Sequence, residues 1–181
     1  MKATGIVRRI DELGRIVIPK EIRRTYKIRE GTPLEIFSGE SGELILKKYS
    51  PVLELEDIAQ DCSKSIFDTL EIETLICDKD EIISVEGSSN FKKTYLHKRI
   101  TLDLERMIEN RKPLLLNSKD GANLVQIIKE KEISYSSLVI VPILAGGDTY
   151  GAVILVGQQS FTNFEVKTLQ TFANFISLQI G

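Results

Sequence analysis

The sequence predicts two domains, a small all-β domain over residues 1–50 and a larger α+β domain over 51–181. Three observations support this division. Up to position 50, short β-branched runs alternate with glycine turns, which is typical of strands and hairpins. Ser50-Pro51 then interrupts the pattern, because a residue that precedes proline is pushed out of the helical region. From Val52 onward the apolar residues recur at three and four, the period of amphipathic helices.

The two predicted domains also differ in charge. Residues 1–50 hold eleven lysines and arginines against seven acids, a net charge of +4, whereas the rest of the chain holds thirteen against nineteen, a net charge of −6. A basic head on an acidic body fits a nucleic-acid contact that is confined to one end of the chain. The sequence contains no apolar run of the ~20 residues that span a bilayer and no signal-peptide core at its start, so we expect a cytoplasmic protein without membrane contact.

The N-terminal domain is organised around a turn at 11–14. Gly14 ends this turn because glycine readily adopts a positive φ, and the β-branched run 15–18 follows it. Pro19 suits the first position of a short helix that we expect at 20–26. The strands predicted for this domain are 5–10, 15–18, 33–37 and 44–48.

A domain of this size is expected to need a partner. A chain of about 60 residues buries only ~60% of its unfolded surface and is marginally stable alone. The runs 16–18 and 44–46 carry apolar residues toward both faces of the predicted sheet, and a sheet with two apolar faces needs both covered. A second copy of the chain can supply that cover, which predicts an obligate dimer.

Arginines gather around the turn and the short helix. A guanidinium can grip guanine or phosphate with two parallel N–H donors, which a lysine cannot do. We therefore predict that these arginines contact double-stranded DNA and that neighbouring cations attract its phosphates at longer range. Because few Asn or Gln side chains accompany them, we expect recognition to depend largely on DNA shape. The predicted DNA-binding residues are Arg8, Arg15, Arg23, Arg24, Arg9, Lys2 and Lys20.

Five segments of this domain form a specific set: Thr-Gly-Ile-Val-Arg (4–8), Asp-Glu-Leu-Gly-Arg (11–15), Val-Ile-Pro (17–19), Ile-Arg-Arg-Thr (22–25) and Leu-Lys-Lys-Tyr (46–49). The set resembles the DNA-binding domain of the AbrB family, which consists of transition-state and sporulation regulators of spore-forming bacteria. The resemblance covers about residues 1–50. It implies an intertwined dimer, a swapped-hairpin barrel with four strands per chain, and arginine-mediated binding to double-stranded DNA.

The C-terminal domain has the predicted order α-β-β-α-α-β-β-β-α, which indicates an antiparallel sheet with helices packed on it. The helices are expected at 52–70, within 88–98, at 101–110 and from 162 to about 180, and the strands at 74–78, 81–86, 113–117, 137–144 and 149–157, with a helical turn at 124–128. Together with Val-Ile-Val-Pro-Ile (139–143) and Tyr-Gly-Ala-Val-Ile-Leu (150–155), this order resembles a GAF domain, a ligand-sensing fold. The fold alone does not supply a ligand.

Two further surfaces are predicted in this domain. The polar stretch 118–134 is either a lid over a ligand pocket or a loop that covers the core. The candidate pocket residues are Tyr95, Asn117 and Tyr135. The final helix is apolar over more than one stripe, so one stripe can face the sheet and another a partner helix. The candidate oligomer-interface residues are Leu55, Ile58, Cys62, Leu169, Phe172 and Ile176. Because the linker at 50–51 is short, we expect each C-terminal domain to pair with one from a second dimer, which gives a tetramer.

The composition argues against an enzyme. Cys62, Cys77 and the single His97 lack the spacing of a metal or redox site, and the chain has neither a catalytic triad nor a phosphate-binding glycine loop. We therefore expect no metal, no cofactor and no catalysis, with an unidentified small-molecule ligand left open.

The prediction is a nucleoid-associated transcription regulator of sporulation-type genes, either an activator or a repressor. Two alternatives remain open at this point. The first is the antitoxin of a toxin–antitoxin pair, because the AbrB-like fold also serves there; such antitoxins usually carry a disordered toxin-binding tail, whereas this chain continues into a folded domain. The second treats the C-terminal domain as a dimerisation module with no ligand.

Overall fold

The structure is a computed structural model that describes residues 5–180, apart from the side chains of Leu53 and Glu54. It divides between Tyr49 and Ser50 into two compact units. Each unit has its own sheet, of two strands in the first unit and five in the second.

The first unit holds a short helix and an antiparallel hairpin. Helix α1 (Lys20–Thr25) begins directly after Pro19, whose missing N–H costs nothing at a helix start. Strands β1 (Leu34–Ser38) and β2 (Leu44–Lys48) pair along their whole length. The Gly39 N–H donates to the Glu43 carbonyl at 2.8 Å and closes the hairpin. The helix and both strands lie within one residue of their predicted bounds.

The segments 5–10 and 15–18, predicted as strands, are not assigned to a sheet within the single chain. The turn between them is formed as expected: the Gly14 N–H donates to the Asp11 carbonyl, and the Asp11 N–H donates to the Arg15 carbonyl, both at 3.0 Å. A strand is recognised by its ladder of bonds to a neighbour, so a strand whose neighbour belongs to a second chain does not appear in one chain alone.

The second unit is built on one antiparallel sheet. Its strands are β3 (Glu73–Cys77), β4 (Ile82–Glu86), β5 (Leu114–Asn117), β6 (Ser137–Ala145) and β7 (Asp148–Gly157). They lie in the order β4-β3-β7-β6-β5, so the strand that starts after Pro113 lies at an edge, as its proline predicted. At Gly151 a Cβ atom would lie 1.9 Å from the Cys77 carbonyl oxygen, so only glycine permits this approach of β7 to β3.

Helices cover both faces of this sheet. They are α2 (Pro51–Glu54), α3 (Glu56–Leu70), α4 (Ser89–Tyr95), α5 (Leu102–Glu109) and α6 (Asn163–Ile180). Helices α3 and α6 belong to one buried apolar layer, around Ile66 and Leu169. Helices α4 and α5 belong to the other, around Tyr95 and Leu104. The predicted element order and the α+β class are confirmed.

The segment after β5 differs from its prediction. The helical turn expected at 124–128 is wrong, because Ile128 forms an antiparallel bridge with Ile100 and the Thr101 N–H donates to the Ile127 carbonyl at 2.9 Å. The side chains of Val125, Ile127 and Ile128 are buried in the α4/α5 layer. We call 122–136 the strap, since it crosses this layer and fills it.

Both cysteines are buried and unpaired in disulfides. Burial raises the pKa of the Cys62 thiol from 9.0 to about 11, and burial raises the pKa of Cys77 further. The thiolate is the reactive form. We therefore expect neither cysteine of the folded chain to react with an aromatic disulfide reagent at pH 8, whereas both should react at once in denaturant.

The raised pKa of Cys62 also makes the stability of the fold depend on pH. An unfolded thiol ionises near pH 9 and folded Cys62 near pH 11. The contribution of Cys62 to the free energy of unfolding is therefore complete below pH 9 and declines as the pH rises toward 11.

Candidate nucleic-acid interface

The turn at 11–14 is held together by one carboxylate. The Asp11 Oδ1 atom accepts the backbone N–H groups of Leu13 at 3.0 Å and of Arg15 at 2.8 Å. Its Oδ2 atom accepts the Nε–H of the Arg15 side chain at 2.8 Å. These bonds, first the backbone one and then the side-chain one from Arg15, hold the pKa of Asp11 below its usual range. Gly14 completes the turn with a φ of +73°.

Helix α1 presents its basic residues to solvent. The side chains of Lys20, Arg23 and Arg24 are exposed, while Ile22 is half-buried. Tyr26 follows Ile22 by four residues, a spacing that predicts the same side of the helix, but its side chain is 55% exposed. In a single chain this helix therefore has one apolar contact residue rather than two.

The predicted DNA-binding residues share their exposure. Arg8, Arg9 and Arg15 are exposed along the segments that flank the turn, as the α1 cations are on the helix, and Lys2 lies outside the described residues. Exposure is a condition for DNA contact and does not establish it, so the assignment stays a prediction.

The first unit also leaves large apolar side chains uncovered. Val7 is 85% exposed, and the other members of this group lie on the turn segments, directly after α1, and on or directly after the two strands. The exposed apolar residues of this unit are Ile6, Val7, Ile10, Leu13, Ile16, Val17, Tyr26, Ile36, Phe37, Leu44, Leu46 and Tyr49. Isolated exposed apolar residues are ordinary, but a large contiguous set indicates a surface that another chain covers.

The three candidate pocket residues are buried, and each one contacts other residues of the second unit. Tyr95 packs its ring against Phe91 with centroids 4.6 Å apart, and the Tyr135 hydroxyl donates to the Val125 carbonyl of the strap. Burial raises the pKa of both tyrosines. Asn117 forms a backbone clamp: its Oδ1 accepts the Phe161 N–H at 2.9 Å, and its Nδ2 donates to the Phe161 carbonyl at 3.1 Å.

An open cavity of about 320 Å³ lies next to these residues. Tyr135 lines it together with Glu73 and Gln158, whereas Tyr95 and Asn117 do not. This cavity thus has only one of the three candidate pocket residues in its lining, and their assignment to a ligand site stays a prediction. Burial raises the pKa of Glu73, whose carboxylate also accepts a weak 3.4 Å bond from Ser88.

The candidate interface residues divide between covered and accessible positions. Cys62, Leu169 and Ile176 are buried against the sheet of their own unit. Leu55, Ile58 and Phe172 are half-buried. The large apolar residues of α6 that are open to solvent are Phe164, Phe175 and Leu178, and none of them is among the six candidate interface residues. Their spacing of eleven and three places them along one side of the helix, which was the available signal.

Comparison with known proteins connects this architecture to a family. A family model described as stage V sporulation protein T C-terminal, transcription factor, matches residues 54–181. The stage V sporulation protein T of Bacillus subtilis (strain 168) is 49% identical over an alignment of 181 positions, which covers 99% of this chain and 99% of that protein. The chain belongs to the stage V sporulation protein T family.

The N-terminal unit of this family member has relatives of its own. The transition state regulatory protein AbrB of Bacillus subtilis (strain 168) is 59% identical over 51 residues, which are 28% of this chain and 52% of that protein. A second family model, described as antidote-toxin recognition MazE, bacterial antitoxin, matches residues 7–54. These matches confirm the AbrB-type class predicted for the first unit.

The C-terminal unit matches solved GAF domains. The GAF domain of the Acinetobacter phosphoenolpyruvate-protein phosphotransferase superposes with a TM-score of 0.55 at 16% identity, over 74% of this chain and 84% of that one. A likeness at this identity shows the fold alone and confirms the GAF-like prediction. Membership in the stage V sporulation protein T family makes the chain a non-enzymatic transcription regulator, as predicted. Among the described residues no helix is both long and apolar enough to cross a membrane.

Proposed function

We propose that the chain regulates sporulation-type genes by binding double-stranded DNA through the exposed cations of its N-terminal unit. The observation that carries this proposal is that four arginines of the turn segments and α1, Arg8, Arg15, Arg23 and Arg24, are all exposed. Guanidinium groups can reach both phosphates and guanine edges, and the unit that carries them is 59% identical to part of a transition state regulator. As a bacterial transcription regulator the protein works in the cytoplasm, and DNA binding would place it on the nucleoid.

Charge supports a single DNA-binding end. The first fifty residues carry +4 and the remainder −6, so phosphates attract one unit and repel the other. The direct test is fluorescence anisotropy of labelled duplexes with the full chain over a salt series. We expect tighter binding to A/T-rich, deformable duplexes than to stiff controls, and affinity that falls steeply with salt. Equal, weak binding to duplex and single-stranded DNA at every salt concentration would contradict the proposal.

We propose that the first unit binds DNA as an intertwined dimer. Its two-stranded sheet leaves both the turn segments and the hairpin with uncovered apolar residues, such as Val7, Val17 and Leu44. A second chain that adds its own strands would bury these residues at about 25 cal/mol for each Å² of apolar surface.

The fragment 1–50 is accordingly expected to be a folded dimer that binds the same duplexes more weakly than the full chain. Its strands need a partner, and the full chain gains valency through its second unit. Sedimentation equilibrium gives the mass and circular dichroism the fold. A folded, stable monomer would contradict the intertwined dimer, and binding as tight as that of the full chain would contradict the contribution of valency.

The second unit is proposed to assemble these dimers into a tetramer. On α6, Phe164, Phe175 and Leu178 are exposed, while the neighbouring Leu169 and Ile176 are used against the sheet. A second copy of α6 is the occupant we propose, because the same stripe on both chains is self-complementary about a two-fold axis. The interface then lies on the exposed stripe, with the half-buried Phe172 at its margin.

Small-molecule sensing is the remaining part of the proposed function. The strap, which includes Tyr135, fills the layer around Tyr95 with its own side chains, so a ligand of moderate size has the open cavity beside Tyr135 and Gln158 as its site. Assembly is the better supported role of this unit, because a partner would cover the exposed apolar side chains of α6.

A second candidate function is supported by the family model named for an antitoxin that matches residues 7–54. In that function the partner would be a small toxin protein. Affinity purification of the chain from its native cell distinguishes the two: a stoichiometric small protein would favour the antitoxin, whereas DNA and further copies of the chain would favour the regulator.

A further inference from the structure

The Asp11–Arg15 pair lies on the exposed turn of the proposed DNA-binding surface. The guanidinium Nε and the Asp11 Oδ2 are 2.8 Å apart, and the two side chains are 70% and 43% exposed. Exposed ion pairs of this kind contribute little to folding stability. The carboxylate is also an unexpected group to find here, since a negative charge repels the phosphates that the surface would approach.

The geometry of the pair accounts for that carboxylate. Asp11 engages Arg15 through Nε, which leaves both Nη groups of the guanidinium for a further bond. The Nη edge is a fork whose spacing matches a phosphate or a guanine edge. The same carboxylate anchors the backbone N–H of Arg15, so the side chain is fixed relative to the turn from which it extends.

We infer that Asp11 is a positioning residue that holds the Arg15 guanidinium in place for a DNA contact before DNA arrives. This inference rests on the proposed DNA-binding function and identifies a residue on which that function depends. A long side chain that is ordered before binding loses less conformational freedom when it binds, which raises the affinity. The bonds that hold Asp11 also keep the pKa of its carboxyl low, so the carboxylate remains charged throughout the neutral range.

Asp11→Asn isolates this role. The amide oxygen of asparagine can still accept the N–H groups of Leu13 and Arg15, which preserves the turn, but its NH₂ group cannot accept the Arg15 Nε–H. Glu12→Gln is the matched control, because it removes an equal charge from the same exposed turn. If Asp11 acted only by its charge, both variants would bind duplex DNA equally well or slightly better than the parent.

We expect Asp11→Asn to bind duplex DNA about threefold to tenfold more weakly than Glu12→Gln, with an unchanged melting temperature. In an Arg15→Ala background the same substitution should cause no loss, since nothing remains to be positioned. In the DNA-free chain, the Arg15 Nε–H resonance of arginine-labelled protein should exchange slowly with water and should exchange rapidly in Asp11→Asn.

The outcomes separate the inference from the function beneath it. A parent chain that binds no duplex would overturn the proposed function and the inference together. A parent that binds, with Asp11→Asn equal to Glu12→Gln, would overturn the positioning role alone. Equal losses in the parent and Arg15→Ala backgrounds would assign Asp11 to the folding of the turn and would likewise overturn it.

Discussion

Replacing Arg23 with alanine should weaken binding to duplex DNA by at least about tenfold. Arg23 lies in α1 with an exposed side chain, and its backbone N–H still donates to the Pro19 carbonyl in the variant, so the change opens no core and removes no helix bond. A good bidentate contact contributes ~1–3 kcal/mol, and a dimer loses two copies at once. Anisotropy titrations over a salt series measure the loss, and the salt slope should flatten if the contact is to phosphate.

Arg106→Ala is the matched control for this prediction. It removes an exposed arginine from the acidic unit, where the side chain pairs only with the exposed Asp103 at 3.2 Å among the bonds described for it. We expect its affinity for duplex DNA to stay within about twofold of the parent, since an exposed charge that makes no proposed DNA contact acts only through the screening solvent. If Arg23→Ala and Arg106→Ala bound alike, Arg23 would not be a DNA contact.

Replacing Phe175 with glutamate is expected to divide the proposed tetramer into dimers. Phe175 is 48% exposed on α6 between the more exposed Phe164 and Leu178, so a carboxylate there would be buried against its own symmetry copy without a partner charge. Leaving a charge buried and unpaired costs several kcal/mol. A two-fold interface contains the substituted residue twice, and a modest interface cannot offset both costs. Multi-angle light scattering at micromolar concentration measures the mass.

Leu102→Glu serves as its control. Leu102 is also 48% exposed and apolar, but it lies at the start of α5 rather than on the α6 stripe. The control should keep the parental mass, and both variants should keep the parental melting temperature because neither side chain belongs to the buried layers. A chain that is already a dimer before substitution, and stays one in Phe175→Glu, would remove the second interface from the proposal.

Local signals predicted the second unit well because they depend on few residues. The Thr101 hydroxyl accepts the Leu104 N–H at 3.2 Å and begins α5 where expected. Thr162 and Glu165 form a capping box at the start of α6, with the Thr162 N–H donating to the Glu165 carboxylate at 2.7 Å. In each case donor and acceptor are three residues apart, so the sequence contains the whole interaction.

Long-range contacts set the limit of that reasoning. The run Val-Gln-Ile-Ile at 125–128 fits a helical turn or an extended segment equally well, and the choice is made by Ile100 and Thr101, more than twenty residues away. Similarly, the sequence of an apolar helix indicates how many apolar stripes the helix has, but it does not indicate which stripe packs on the sheet. That is why Leu169 and Ile176 were assigned to an interface although they are buried in their own unit.

The candidate DNA surface was predictable as a set of residues but not as an arrangement. The arginines follow from motif and charge, whereas the bond from Arg15 to Asp11 depends on a side-chain conformation within the turn. An aspartate that opens a glycine-containing turn commonly accepts the N–H two residues on, and this part was available from sequence. The bond from the Arg15 guanidinium to the Asp11 carboxylate could not be predicted from the sequence.

The clamp between Asn117 and Phe161 has a consequence for the exchange of backbone amides with deuterated water. The Phe161 N–H precedes α6, so helix fraying does not expose it, and its acceptor is a side chain at the edge strand β5, 44 residues away in sequence. That hydrogen can exchange only when β5 and the start of α6 separate. Its rate therefore reports the opening of one sheet edge, and comparison with amides in the middle of α6 shows whether that edge opens before the rest of the unit unfolds.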